Sequence, residues 1–146
     1  MERDLEVKRS IYEHFAATGR RPSIEDVATR VSGEPSRVRE LFTQLRAQRV
    51  LVLEPDGESI LMAPPFSGVP TQHRVIAGGV SYFANCAWDA LGIPATLHLT
   101  ATVHSRCEQS LEPLDLAVPE QGPIASDWLF HCVVPVAHWW DDIVFT

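Results

Sequence analysis

Leu5, Ile11, Tyr12 and Phe15 recur at helical spacing, and Thr18-Gly19 followed by Pro22 closes that segment, so the pattern predicts a first helix. Ser23 opens "SIEDVATRVS". A serine N-cap, Asp26 at the third helical position and an apolar face of Ile24, Val27, Ala28 and Val31 predict a short second helix. After "SGEP", Pro35 suits a first helical position, and Val38, Leu41, Phe42 and Leu45 line one side of a third helix. "RVLVLEPDGESILMAPPF" reads as two short strands around Pro55-Asp56-Gly57, a hairpin by its turn chemistry.

The second half changes character. "QHRVIAG" is a strand candidate, and the apolar run Ser81–Leu91 is long enough for a three-turn helix stopped by Gly92 and Pro94. In "ATLHLTATVHSRC", Leu97, Leu99, Ala101 and Val103 alternate with His98, Thr100, Thr102 and His104, as a half-buried strand should. "LEPLDLAV" can return antiparallel, and "DWLFHCVVPV" and "WWDDIVFT" are two further β-rich runs. A helix against a mostly antiparallel sheet gives an α+β class, preceded by helices and a hairpin in the arrangement of a winged helix-turn-helix. The Pro-rich "APPFSGVP" marks the boundary, giving residues 1–64 and 65–146 as two parts.

Charge supports that division. The chain of 146 residues carries a net charge of −7, yet residues 1–50 hold ten Lys/Arg against eight Asp/Glu while the remainder holds two against eleven. Arg37, Arg39, Arg46 and Arg49 lie on or beside the third helix, where a DNA-reading module presents side chains to a groove. Glu34, Glu40 and the acidic "EPDGE" hairpin tip dilute that patch, so a packing module with a solvated basic face competes with a nucleic-acid reader. The composition, 45% hydrophobic and 21% charged, is that of a globular protein. With no long apolar span and no signal-peptide pattern at the start, the expected location is the cytoplasm, with no membrane partner.

Three cysteines, Cys86, Cys107 and Cys132, are an odd number, which favours free thiols over a disulfide framework. Within "YFANCAWDALGIP", Cys86 and Asp89 stand three apart, so on a helix a thiol and a carboxyl emerge on one face. Apolar neighbours should desolvate that carboxyl and raise its pKa toward a proton-donating role. A small buried hydrophobe and a solvent-facing aspartate are the plain alternatives. His104-x-x-Cys107 with His131-Cys132 offers another donor set, but no Cys-x-x-Cys pair supports it and strand-surface roles are expected for these histidines. "WWDD" offers Trp139 and Trp140 as core or interface aromatics beside a solvated turn. No P-loop, dinucleotide or nucleophile-elbow fingerprint is present.

"PTQHRV", "YFANCAWDALGIPATL" and "VHSRC" resemble the core of the organomercurial (alkylmercury) lyase family, in which a winged-helix-like region precedes such an α+β core. The resemblance implies cleavage of Hg–C bonds, with Cys86 binding mercury, Asp89 handling the proton and Cys107 structural. It implies no cofactor: mercury is substrate and product, free thiols accept the metal, and the partner is a small organomercurial or other thiophilic ligand. The competing function is a DNA-binding regulator or sensor whose second half binds such a ligand. A relative of the lyases that has lost mercury chemistry is a third. The family uses a second catalytic thiol on a strand following a segment like "HWWDDIVFT"; within this chain Cys132 is the other candidate mercury ligand, in what reads as a core strand. A cysteine within a few residues beyond Thr146, followed by about thirty more residues, is the corresponding expectation for the parent gene, and its next codons test it.

Overall fold

The computed structural model describes residues 2–146. Three helices come first: α1 (Glu2–Thr18), α2 (Ile24–Arg30) and α3 (Pro35–Ala47). Ser23 and Asp26 form a reciprocal capping box at the start of α2, the Ser23 hydroxyl accepting from the Asp26 N–H at 3.0 Å and the Asp26 carboxylate accepting from the Ser23 N–H at 2.8 Å. Two first-turn amides that helix geometry leaves unpaired are thereby satisfied. The expected inward faces of α2 and α3 are buried through Ile24, Val27, Ala28, Val38, Leu41, Phe42 and Leu45. In α1, Ile11 and Phe15 are buried, but Leu5 is 67% exposed and Val7 takes the inward position.

Strands β1 (Val52–Leu53) and β2 (Ile60–Ala63) form the expected antiparallel hairpin, and β3 (Phe66–Ser67) adds to β2. The Asp56 carboxylate caps the turn, accepting from the N–H groups of Glu58 and Ser59. A second, fully antiparallel sheet has the order β5-β4-β6-β7, built from β4 (Arg74–Ala77), β5 (Val80–Phe83), β6 (Ala101–Arg106) and β7 (Pro113–Val118). Val75, Ala77, Ala101 and Val103 face inward, and α4 (Ala87–Leu97) packs on β4 and β6 through Ala90 and Ile93. The architecture is therefore helices with antiparallel sheets, an α+β protein. Among the described residues no helix is long and apolar enough to cross a membrane.

Three expectations are corrected. Ser81–Phe83 is strand, not the start of a helix, because Gly78 and Gly79, at φ +55° and +79°, make a two-residue turn that folds β5 back on β4. The helix begins six residues later than expected and runs through Gly92 and Pro94 to Leu97, ending at His98 in the left-handed conformation. Leu97 and Leu99 consequently fall outside β6. Finally, "DWLFHCVVPV" and "WWDDIVFT" form no strand; the latter region holds a 3-10 turn over Val136–Asp141. Beyond β7 a single backbone bond, Ile124 N–H to the Ala117 carbonyl at 3.2 Å, continues the pairing.

One hydrophobic core spans both parts. Phe66 stacks on Phe15 of α1 with ring centroids 5.3 Å apart and contacts Tyr82 of β5 at 5.7 Å, while the Tyr82 hydroxyl donates to the Ala16 carbonyl at 2.6 Å. Gly19 closes this seam at φ +69°, where a β-carbon would lie 2.1 Å from the Ser81 carbonyl oxygen. Gly57 has a similar φ of +72° but nothing around it. Gly57→Ala should therefore cost roughly 1–2 kcal/mol, the left-handed penalty alone. Gly19→Ala should cost about 3 kcal/mol or more, since α1 must also move off β5. Urea unfolding of the two variants checks the order; equal losses would mean that the seam is loose.

Candidate active site

Cys86 is not on a helix face. It is the N-cap of α4, extended at φ −152° and ψ 179°, and its carbonyl accepts the Ala90 N–H at 2.9 Å. Asp89 is the third residue of the first turn. This N-cap-to-N3 relation still brings thiol and carboxyl to one place, as the intended spacing on a helix would, and adds the exposed amides of the helix start. Both line a cavity of about 530 Å³ together with Asn85, His73, Pro64 and Trp88. Met62, Ala87 and Glu108 also line it, and the remaining wall is the C-terminal segment, including Phe130, His131, Cys132, Trp139, Trp140 and Phe145.

Burial pushes the Cys86 thiol above its ordinary value; the amides of Asp89 and Trp88 oppose this, while the Asp89 carboxylate and Cys132 add to it. Burial likewise raises the Asp89 carboxyl, against a hydrogen bond from Asn85 that favours its ionised form. Asn85 Nδ2 donates to Asp89 Oδ2 at 2.8 Å and to the Phe66 carbonyl at 3.2 Å. Tyr12 reaches the same region from α1, its hydroxyl donating to the Pro64 carbonyl at 3.3 Å; burial and the nearby Asp89 push its pKa up to about 12. The site is thus a half-buried acid beside a protonated thiol.

The apolar setting of Asp89 comes only in part from its neighbours in the sequence, Ala87 and Trp88, which line the cavity with it. Tyr82 points into the seam with α1, and Trp88 is 56% exposed, its ring 5.7 Å from that of Phe130. The C-terminal segment completes the wall around Asp89. Cys132 is not in a core strand: it is exposed, in an irregular segment, its thiol donating to the Val134 carbonyl at 2.8 Å, yet it lies on the cavity with Cys86. Cys107 lies elsewhere, just beyond β6, where the Ser110 hydroxyl and N–H hold its pKa below the ordinary thiol value. All three cysteines are free.

Sequence reasoning passed over two site residues. Asn85 is a polar amide set in an apolar run just before an N-cap, which is its one signal. His73 is buried, with Nδ1 2.7 Å from the Ser105 hydroxyl, and burial holds its pKa down so that it stays neutral. His104 pairs with Asp115 across β6 and β7 at 2.6 Å. Among the described residues no group of three His, Cys, Asp or Glu side chains is arranged around a metal position. Of the four arginines considered for DNA, Arg37 is paired with Glu40 and Arg39 with Glu58, both at 2.6 Å, and Arg49 lies over the Trp140 ring at 5.9 Å. Arg46 occupies the last turn of α3.

A thiol and a desolvated acid facing one apolar cavity define a site suited to soft-metal capture and proton delivery. The family model for alkylmercury lyase matches residues 66–146, more than half of the chain, and the protein belongs to that family. Among solved structures, the mercury-bound form of MerB2 is similar in fold, with a TM-score of 0.65 and 22% sequence identity over 84% of this chain. The chain spans 60% of that structure's length. No curated protein matches.

The pKa directions yield an ordering. Cys107 should react with a small methanethiosulfonate reagent at lower pH than Cys86, since its thiolate is stabilised by Ser110 whereas that of Cys86 is penalised by burial. Peptide mapping of the modified protein across a pH series checks this, and an inflection for Cys86 below that of Cys107 would contradict it.

Proposed function

We propose that this protein cleaves the carbon–mercury bond of organomercurials, with Cys86 as the capturing thiol and Asp89 as the proton donor. The observation that carries the proposal is the placement of both groups on one cavity at the start of α4, each with its neutral form favoured by burial. Membership of the alkylmercury lyase family supports it.

The chemistry follows from softness and acidity. Mercury binds thiolate far better than oxygen or nitrogen donors, and two sulfurs satisfy it, so the lack of a three-donor cluster is no obstacle. The organomercurial cation displaces the proton of the Cys86 thiol and forms an S–Hg bond. A second thiolate on mercury, for which Cys132 is this chain's candidate, raises electron density on carbon. The Hg–C bond then breaks, its electron pair taking the Asp89 proton; hydrocarbon R–H leaves, Asp89 remains as carboxylate and Hg²⁺ stays on sulfur. Free thiol in solution removes the metal, and no resident cofactor takes part.

The three helices and hairpin of residues 1–64 we read as a winged-helix module that packs against the lyase core. Its contributions to the site are Met62 and Pro64 on the cavity wall, Tyr12 bonded to the Pro64 carbonyl, and the α1 face that supports Phe66. A cytoplasmic location and a role in mercury detoxification belong to the same reading. The DNA-reading alternative is weakened by the carboxylate partners of Arg37 and Arg39.

With phenylmercury and excess small thiol, the protein should release benzene, measured by gas chromatography. Asp89→Asn should keep one phenylmercury per chain while benzene release falls by roughly 10²–10⁴-fold, the usual worth of a positioned acid. Cys86→Ser should lose both retention and release, and Cys132→Ser should do the same if Cys132 is the second ligand. No hydrocarbon from the unaltered protein would overturn the lyase reading.

A further inference from the structure

Asn85 occupies an unusual position among the residues around Asp89. Its Nδ2 makes two hydrogen bonds, to the backbone carbonyl of Phe66 and to Asp89 Oδ2, while its Oδ1 is buried with no partner among the described residues. An unpaired buried acceptor is costly, and most buried polar atoms avoid that state. Turning the amide over would not relieve it, because the oxygen would then face the Phe66 carbonyl and Asp89 Oδ2, two acceptors. The amide is consequently fixed with its N–H groups toward the carboxyl. Phe66 is itself immobilised, its ring held by Phe15, Tyr12 and Tyr82.

We propose that Asn85 is a positioning residue for the acid: its amide pins Asp89 Oδ2, leaves Oδ1 to carry the transferable proton, and holds the carboxylate that remains after transfer. This rests on the reading of Asp89 as proton donor. The Asn85 N–H bonds best to a carbonyl-type oxygen, so its bond to Oδ2 favours the neutral acid carrying its hydrogen on Oδ1. When that proton leaves for carbon, the contact becomes a charge-assisted bond and strengthens, so it favours the transition toward carboxylate more than the starting acid. Burial favours the protonated acid, and the Asn85 hydrogen bond opposes it by favouring the carboxylate.

The other titratable groups of this region are Tyr12 from α1, Cys86 at the N-cap, His73 before β4, Glu108 after β6, and His131 and Cys132 from the C-terminal segment. None replaces the Asn85 bond to Oδ2. Removing that bond takes away a stabiliser of the ionised form, so the Asp89 pKa must rise further.

The test uses the full chain, ¹³C-labelled at aspartate, in Asn85→Leu and Asn85→Ser; the second serves if the bulkier variant does not unfold cooperatively. Difference infrared spectra over a pH series follow the protonated carboxyl without mercury, with Asp89→Asn as the blank. Asp89 should titrate at higher pH in both variants, and the alkaline limb of benzene release should move up with it. Turnover should fall about tenfold, the worth of a hydrogen bond to a charged group, with KM unchanged. An unmoved or lowered Asp89 titration would overturn the proposal even if benzene is released. A raised titration supports the pinning, and if neither form then releases benzene, it is the lyase reading that fails.

Discussion

The packing of Phe66 is the constraint on which both the fold and the site depend. Its ring lies in the seam where α1 meets the second sheet, stacked on Phe15 and flanked by Tyr12 and Tyr82. Its backbone does separate work: it pairs with Ala63 in the first sheet, bridges Ala84 after β5, and accepts from Asn85. A residue buried on its side chain and bonded on both sides of its backbone has no freedom to drift. Asn85, and through it the Asp89 carboxyl, inherit that rigidity. The helical N-terminal part therefore contributes to the site by packing.

Two opposing influences set the protonation of the pair at the start of α4. Helix amides and the Asn85 side chain favour charge, while the cavity wall disfavours it, and burial is the larger effect for both Cys86 and Asp89. Burial therefore shifts both groups toward their neutral forms. In the proposed chemistry a thiophilic cation supplies the positive charge that makes a thiolate favourable, coupling capture to deprotonation of Cys86. In the proposed chemistry the Asp89 carboxyl, its pKa raised by burial, is the group that supplies the proton. Cys107, partly buried, is biased toward thiolate by Ser110, which outweighs the burial penalty on its ionised form.

The first half of the chain was legible because its signals are local. Ser23 and Asp26 cap α2, Pro35 opens α3, and Pro55-Asp56-Gly57 turns the hairpin, each acting within a few residues. The pairing of β6 with β7 also followed from alternation. The apolar run after Gly79 was ambiguous: Val80–Leu91 satisfies a helix pattern and a strand pattern, and the two-glycine turn that decides the matter is a tertiary fact about β4. Pro94 was taken as a stop, yet it is buried inside α4, where apolar packing outweighs the lost hydrogen bond. The C-terminal runs have strand composition without strand structure, since Leu129, Val133 and Phe145 remain exposed and pair with nothing regular. Cys86 and Asp89 were identified correctly as neighbours although the element carrying them was misplaced, because N-cap and N3 are as close as two positions on a helix face. Asn85 could not be weighed, since its importance lies in bonds to Phe66 and Asp89 that only the fold creates.

The proposed chemistry requires thiol and acid to act on the same bond. The most direct measurement is a single turnover in D₂O: protein loaded with one equivalent of phenylmercury, excess small thiol added, and the released benzene analysed by mass spectrometry. One deuterium per benzene and one benzene per chain, lost together in Asp89→Asn, is the predicted result. Phenylmercury recovered intact from the unaltered protein, or benzene released equally by Asp89→Asn, would contradict it.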